Sequence, residues 1–200
     1  MARFNSTAIW AINHLWVICV AYVISMIALL FIHGAFGFSM SDDGTYFSNT
    51  LMHIGSGAVL GLGTGLLQKK LLRKTFPVSV LWVLSLMAGF IIAETITGLV
   101  LWKMEIYRGL INVFNTTYHF PEACIFASAG LVSGIFQYRL LKPHFTKRMY
   151  WIMASTLGWS VLILSTYCGL VAFIAGALLY GAITGWTLYY ILKPKHQSQV

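Results

Sequence analysis

One acidic side chain lies well inside an apolar stretch of this sequence. Glu94 stands within the apolar run 78–102, far from either of its ends. An ionisable group at such a depth in a membrane is costly, and it is a functional candidate by default. Glu94 could carry protons or bind a cation, or it could be held neutral in a structural hydrogen bond with His53.

Four further ionisable residues are expected near the same end of the molecule as Glu94. His33 ends the first apolar run and His53 begins the second, while His119 and Glu122 stand at the outer mouth of the fourth. Histidine and carboxylate together can bind a metal or a cofactor, and paired histidines can be axial ligands of a haem or pigment. No H-x-x-x-H, H-E-x-x-H or C-x-x-C spacing is present, so no metal ion is predicted. The cofactor and any catalytic residue stay open.

These residues must be positioned by membrane-spanning helices. Hydrophobic residues make up 58% of the chain and charged residues only 9%, far from the composition of soluble domains. Six apolar runs are long enough to cross about 30 Å of hydrocarbon. The predicted fold is therefore all-α, one transmembrane bundle over residues 1–200. The six predicted spans are 12–36, 51–68, 78–102, 121–138, 150–167 and 170–192.

The distribution of positive charge predicts the orientation in the membrane. Of the 13 Lys and Arg residues, only Lys103 and Arg108 fall on one side of the predicted bundle. Short loops rich in Lys and Arg remain in the cytoplasm, so both termini are predicted to be cytoplasmic. Glu94 then lies in the outer half of the membrane.

An internal repeat runs through the apolar sequence. Residues 58–90 align without a gap onto residues 127–159, and residues 177–193 match the first half of the unit again. Both full copies enter the membrane in the same direction, so the repeats are parallel. The first span could complete a third unit with the last one, which would give the bundle approximate threefold symmetry. The aligned pairs are Gly61 with Gly130, Gly65 with Gly134, Gln68 with Gln137, Leu72 with Leu141, Arg73 with Lys142, Trp82 with Trp151, and Gly89 with Gly158.

Small residues and glutamines form a stripe on one face of each repeated helix. At about 100° per residue, positions three or four apart share a face, and small residues there let helices approach closely in lipid. The predicted packing residues are Gly57, Gly61, Gly65, Gln68, Gly130, Gly134, Gln137, Gly181 and Gly185. A narrow pathway lined by glycine backbone is the alternative. The two glutamines are expected either to join helices or to form a polar constriction.

The repeat resembles a group of small multi-pass bacterial membrane proteins. These proteins carry G-x-x-Q-[WY]-x-x-L-[RK] followed by W-[IV]-x-A-S-x-x-G-W. The best matches here are Gln137-Tyr138 through Leu141-Lys142 and Trp151-Ile152 through Gly158-Trp159. The resemblance covers residues 57–90 and 126–159 well, the last helix in part and the first 50 residues not at all. It implies a bacterial inner-membrane location and no particular activity.

Abundant packing signals and short loops favour an integral membrane subunit or scaffold. Such a protein would act through helix–helix contacts with itself or with a larger membrane complex. The first alternative is a small proton- or ion-coupled transporter or channel that uses Glu94. The second is a membrane-embedded enzyme or cofactor protein that uses the outer histidine and carboxylate residues. The expected partners are the lipid bilayer and another membrane protein or copy of the chain, with no nucleic acid.

The predicted orientation can be tested by labelling single introduced cysteines. Cysteines replacing Leu71 and Phe145 should react with an impermeant reagent only from the cytoplasmic side, because basic residues hold those loops there. A cysteine replacing Asp43 should react only from outside. Labelling is measured on intact cells and on inverted vesicles, and the reverse pattern would contradict the predicted orientation.

Overall fold

The computed structural model describes residues 7–36, 45–74, 76–103, 119–141, 147–166 and 168–192. Within these ranges all regular secondary structure is helical. The helices are α1 (Thr7–Phe36), α2 (Thr45–Leu72), α3 (Leu81–Lys103), α4 (His119–Leu141), α5 (Met149–Thr166) and α6 (Leu170–Leu192).

Several helices extend beyond the apolar runs that predicted them. α1 begins at Thr7, and not at residue 12, and α2 covers Thr45–Leu72, and not 51–68. Helical backbone bonding does not require apolar side chains, so the last turn of α2 still contains Lys69 and Lys70. α3 starts at Leu81, later than predicted, after a turn that includes Pro77. The sequence pattern therefore located the helices better than their ends.

A single glycine turn connects α5 and α6. Gly169 has a φ of 91°, in the left-handed region that glycine adopts at little cost. The amide of Cys168 donates to the carbonyl of Ser165 at 3.2 Å, and the amide of Phe173 donates to the carbonyl of Gly169 at 2.9 Å. These bonds end one helix and begin the next, so α6 returns directly along α5.

The helices pack in a closed ring. Consecutive helices from α1 to α6 contact one another along the chain, and α6 closes the ring by packing against α1. Two apolar clusters fill the interior. The larger one surrounds Phe90, Trp159 and Tyr180. The smaller one surrounds Trp82 and Trp151, at the end where α2, α4 and α6 finish.

Polar and apolar side chains are distributed as expected for a protein in lipid. Large apolar residues point outward, and Trp16, Val171 and Trp186 are 68%, 83% and 69% exposed. Polar residues are enclosed instead. The buried polar residues are His14, Thr64, Gln68, Ser85, Glu94, Ser133, Gln137, Ser155 and Thr184.

Four of the described helical segments are long and apolar enough to cross a membrane. They are Thr7–Ile24, Cys124–Leu141, Met149–Thr166 and Leu170–Leu192, and Leu81–Ile96 is a shorter apolar segment. Together with the apolar exterior, these segments indicate a membrane protein.

The glycines lie where neighbouring helices approach most closely. A Cβ atom added to Gly65 would lie 2.9 Å from the Cα of Val83, and one added to Gly134 would lie 3.1 Å from the Cα of Ile152. At Gly130 the added atom would lie 2.6 Å from the carbonyl oxygen of Ser155. The obstacles are backbone atoms, which cannot rotate away, so these helix pairs approach closely only because the side chain is absent.

Two Gly→Ala substitutions test this close packing. Gly130→Ala should destabilise the protein by about 1–3 kcal/mol, because its methyl group meets the backbone of α5. Gly55→Ala is the control, since nothing lies within 4 Å of its added Cβ. It should be neutral or stabilising by up to about 1 kcal/mol, because alanine favours helix. Thermal unfolding of the full chain in detergent measures both variants, and equal melting temperatures would contradict the packing argument.

Candidate functional site

The two repeat glutamines meet in the interior of the ring. The Gln137 side-chain nitrogen Nε2, on α4, donates to the side-chain oxygen Oε1 of Gln68, on α2, at 3.4 Å. The same nitrogen also donates to the backbone carbonyl of Trp82 at 3.5 Å. Both glutamines are 0% exposed. A buried amide needs partners for each of its polar atoms, and the surrounding helices provide them.

Each glutamine accepts a hydrogen bond from a tryptophan fourteen residues further along the chain. The indole nitrogen of Trp82 donates to Gln68 Oε1 at 2.9 Å, and that of Trp151 donates to Gln137 Oε1 at 2.8 Å. The two indole rings lie beside each other, with centroids 5.6 Å apart. An indole nitrogen can only donate, so these bonds also fix which end of each amide is the oxygen. They join α2 to α3 and α4 to α5.

A third indole makes a related bond between the ends of the chain. The indole nitrogen of Trp10, on α1, donates to the hydroxyl of Thr184, on α6, at 3.0 Å. The Thr184 hydroxyl in turn donates to the carbonyl of Tyr180 at 2.8 Å. Leu188, which aligns with the two glutamines, is 0% exposed. The third contact therefore uses a hydroxyl one helical turn before the glutamine position.

His14 and Tyr180 complete the cluster around Gln68. His14 Nδ1 lies 2.8 Å from the carbonyl of Trp10, and a carbonyl can only accept, so Nδ1 carries the proton. The other ring nitrogen, Nε2, then accepts from Gln68 Nε2 at 3.4 Å. Gln68 Nε2 also donates to the hydroxyl of Tyr180 at 3.2 Å. The neutral imidazole is thus held in one tautomer by partners on both sides.

All four hydrogen-bonding positions of the Gln68 amide are occupied by protein atoms. Its oxygen accepts from Trp82 on α3 and Gln137 on α4, and its nitrogen donates to His14 on α1 and Tyr180 on α6. Trp151 connects α5 through Gln137. We call this group of residues the amide hub. The two amides link every helix in the described ranges, and the bonding pattern is that of a structural junction.

Aromatic rings fill the interior next to the hub. Phe90 meets Trp159 edge-on at 90°, with centroids 4.7 Å apart, and Trp159 lies 4.8 Å from Tyr180. Two buried polar atoms in this region differ from those of the hub. The Thr64 hydroxyl and the Trp159 indole nitrogen have no hydrogen-bond partner among the described residues.

The predicted outer site is described only in part. Glu94 lies on α3 and is 2% exposed. His33, His53, His119 and Glu122 lie on α1, α2 and α4, but their side chains fall outside the described part of the structure. The predicted pairing of Glu94 with His53 therefore stays a prediction. Over the part of the chain that is described, no three His, Cys, Asp or Glu residues come together as a metal site.

Sequence reasoning selected the glutamines and their tryptophans but not His14, Tyr180, Trp10 or Thr184. Trp82 and Trp151 were visible because the repeat places each of them fourteen residues after a glutamine. His14 stands alone in the first apolar run, and its partners are 54 and four residues away. The bond between Trp10 and Thr184 spans 174 residues, so no local spacing indicates it.

No family model matches this chain, and no curated protein or solved structure matches it either.

Two Thr→Val substitutions distinguish a bonded hydroxyl from an unpartnered one. Thr184→Val should destabilise the protein by about 1–3 kcal/mol, because the Trp10 indole loses its acceptor while it stays buried. Thr64→Val should be neutral or stabilising by up to about 1 kcal/mol, because it removes a buried hydroxyl that has no partner among the described residues. Both changes have the same shape and both sites are 0% exposed. Chemical or thermal unfolding in detergent measures them, and equal losses would contradict the assignment.

Proposed function

We propose that this chain is an integral membrane scaffold or complex subunit of a bacterial inner membrane. It crosses the membrane six times with both termini in the cytoplasm, and it works through contacts of its outer helix faces with itself or another membrane protein. The observation that carries the proposal is the amide hub. Its polar groups bond to one another, so they rigidify the ring and do not line a pathway.

A rigid ring with an apolar exterior suits a protein that presents fixed surfaces within the bilayer. Buried networks whose members are all bonded favour one arrangement over its alternatives. The outward faces of α1 and α6 carry large aromatic residues, among them Trp16 and Trp186. Such residues can pack against a partner helix as well as against lipid.

We also infer that the ring arose from a duplicated helical hairpin. Val83 and Ile152, the residues that Gly65 and Gly134 approach, stand the same number of positions after their glycines. The contacts between hairpins correspond as well. A Cβ added to Gly89 would meet Ser133, and one added to Gly158 would meet the Tyr180 ring first and Thr184 at 3.6 Å. Ser133 and Thr184 are aligned positions on α4 and α6. These paired contacts support parallel repeats.

The third hairpin of this arrangement combines α6 with α1. Gly181 approaches Ala11 and Gly185 approaches Trp10, so the same two glycine positions again receive a neighbouring helix. An indole bond is present here too, but its acceptor is Thr184, one turn before the position aligned with the glutamines. The contacts support approximate threefold symmetry with a shifted register in the third unit.

A second candidate function is proton or cation movement through Glu94. The observation that favours it is the burial of this acid, which is 2% exposed within an apolar helix. Buried acids in membrane helices recur at ion pathways. A cofactor site built from the outer histidines stays a prediction, because those side chains lie outside the described residues.

Photo-crosslinking in native membranes tests the scaffold proposal. A photoreactive phenylalanine analogue is placed singly at Trp16, Met153 and Trp186, which lie on three helices and are 68%, 59% and 69% exposed. Irradiation should give a discrete protein adduct at one position and only lipid adducts at the others, because a scaffold uses one defined face. Lipid adducts at all three positions would contradict the proposal.

Glu94→Gln separates the scaffold from the transporter. The amide keeps the shape of the acid and removes its titratable charge, so a structural Glu94 predicts an unchanged melting temperature. In proteoliposomes, both wild type and variant should show proton and cation flux no greater than that of empty vesicles. Flux in the wild type that a folded Glu94→Gln variant loses would establish the ion-coupled function instead.

A further inference from the structure

A cavity of about 180 Å³ opens at the end of the ring where α2 finishes and α3 begins. Five of its six lining residues are apolar, while polar and apolar atoms contribute about equally to the lining surface. The lining residues are Phe76, Pro77, Val78, Ser79, Trp82 and Leu140. Trp82 also donates its indole hydrogen bond to Gln68 in the amide hub. One lining residue of the cavity is therefore held in place by the buried hydrogen bonds.

Basic residues stand next to the lining residues of this cavity in the sequence. Arg73 and Lys74 shortly precede Phe76, and Arg139 directly precedes Leu140, and all three side chains are exposed. Residues 69–80 and 139–149 together contain eight Lys or Arg residues and no Asp or Glu. A cavity with apolar side chains in its lining and exposed cations close in sequence, at the end of apolar helices, suits an amphiphilic anion.

At two aligned positions the second repeat carries cations that contact tyrosines of the same chain. Val78 and Ser79 align with Lys147 and Arg148, and Arg139 aligns with Tyr190. The Lys147 ammonium donates to the Tyr190 hydroxyl at 2.6 Å and lies 4.1 Å from the centre of its ring. Lys147 of the second repeat is therefore held against the ring of Tyr190. The first repeat has neither partner of this contact, because Val78 and Arg139 stand at the aligned positions.

Arg148 is also engaged by the protein. Its guanidinium lies 4.4 Å from the centre of the Tyr138 ring, a distance typical of a cation–π contact. Lys147 and Arg148 therefore both contact tyrosine rings of the chain. They provide a comparison for Arg73 and Arg139, which differ from them in standing beside the residues that line the cavity.

We propose that the cavity binds an anionic phospholipid, with the headgroup phosphate held by Arg139 and Arg73 and the acyl chains lying against Val78 and Leu140. Guanidinium groups suit phosphate because they can donate two parallel hydrogen bonds. The position of the cavity at the end of apolar helices favours a lipid over a free phosphate ion, since only a lipid has acyl chains that can lie against Val78 and Leu140. The site does not depend on the scaffold proposal.

The experiment compares lipids that have the same acyl chains and different headgroups. The full chain is purified in a mild detergent and titrated with phosphatidylglycerol or phosphatidylcholine, and occupancy is read by native mass spectrometry. We expect phosphatidylglycerol to bind more tightly. Arg73→Gln/Arg139→Gln should weaken its binding by about 25-fold, at about fivefold for each basic residue removed.

Lys147→Gln/Arg148→Gln is the matched control, because it also removes two cations from the aligned loop. It should change phosphatidylglycerol binding by less than about twofold, since its cations already contact tyrosine rings. Ser79→Trp should also weaken binding, because it fills the cavity without changing the charge. Thermal unfolding without added lipid checks that each variant is folded.

Three results would overturn the proposal. Equal weakening by the two double variants would show that binding follows net charge and not the cavity. Unchanged lipid binding by a folded Ser79→Trp protein would place the lipid elsewhere. Inorganic phosphate that competes fully with phosphatidylglycerol would identify a free-anion site.

Discussion

The structure depends on one constraint, the need of a buried amide for four hydrogen-bond partners. Gln68 finds them on four other helices, and each partner is itself a buried side chain. A single bond of this kind stabilises a membrane protein by only about 1 kcal/mol or less. The penalty for leaving any one group unbonded is larger, so the helices can shift only together. The hub therefore fixes the relative positions of the helices, although it contributes little to the total free energy of unfolding.

The glycines make the hub geometrically possible. Trp82 can reach Gln68 only if α3 lies close to α2, and at Gly65 the backbone of Val83 lies so near that an added Cβ would come within 2.9 Å of its Cα. The same relation holds between Gly134 and Ile152 in the next pair. Packing and hydrogen bonding thus depend on each other. A bulky side chain at the glycine would lengthen the indole bond even though it touches neither partner.

The sequence was sufficient to locate the helices, the glycine stripe and the two glutamines, because each of these follows a local period or a repeat. It was insufficient for His14 and Tyr180, whose positions in the hub depend on how α1 and α6 close the ring. The hydrogen bond of Trp10 could not be predicted for the same reason, since the first helix lacks the repeated signature. Among the outer residues, Glu94 is buried as its apolar surroundings suggested. The end of α2 was misplaced because helical bonding continues into its charged last turn.

In the proposed duplication, the three hairpins have the same helix contacts at their glycines. They have different polar side chains in the interior and at the loops. Leu188 replaces the third glutamine, so the hub has room for His14 and Tyr180 beside Gln68 and stays fully bonded with two amides. At the aligned loop positions, one repeat has the contact between Lys147 and Tyr190, and the other has Val78 in the lining of the cavity. Substitutions at the glycines would separate the helices, whereas the polar partners can differ between units as long as each buried group stays bonded. Divergence between copies is therefore concentrated at the polar positions, where a new partner or a new binding site can arise without separating the helices.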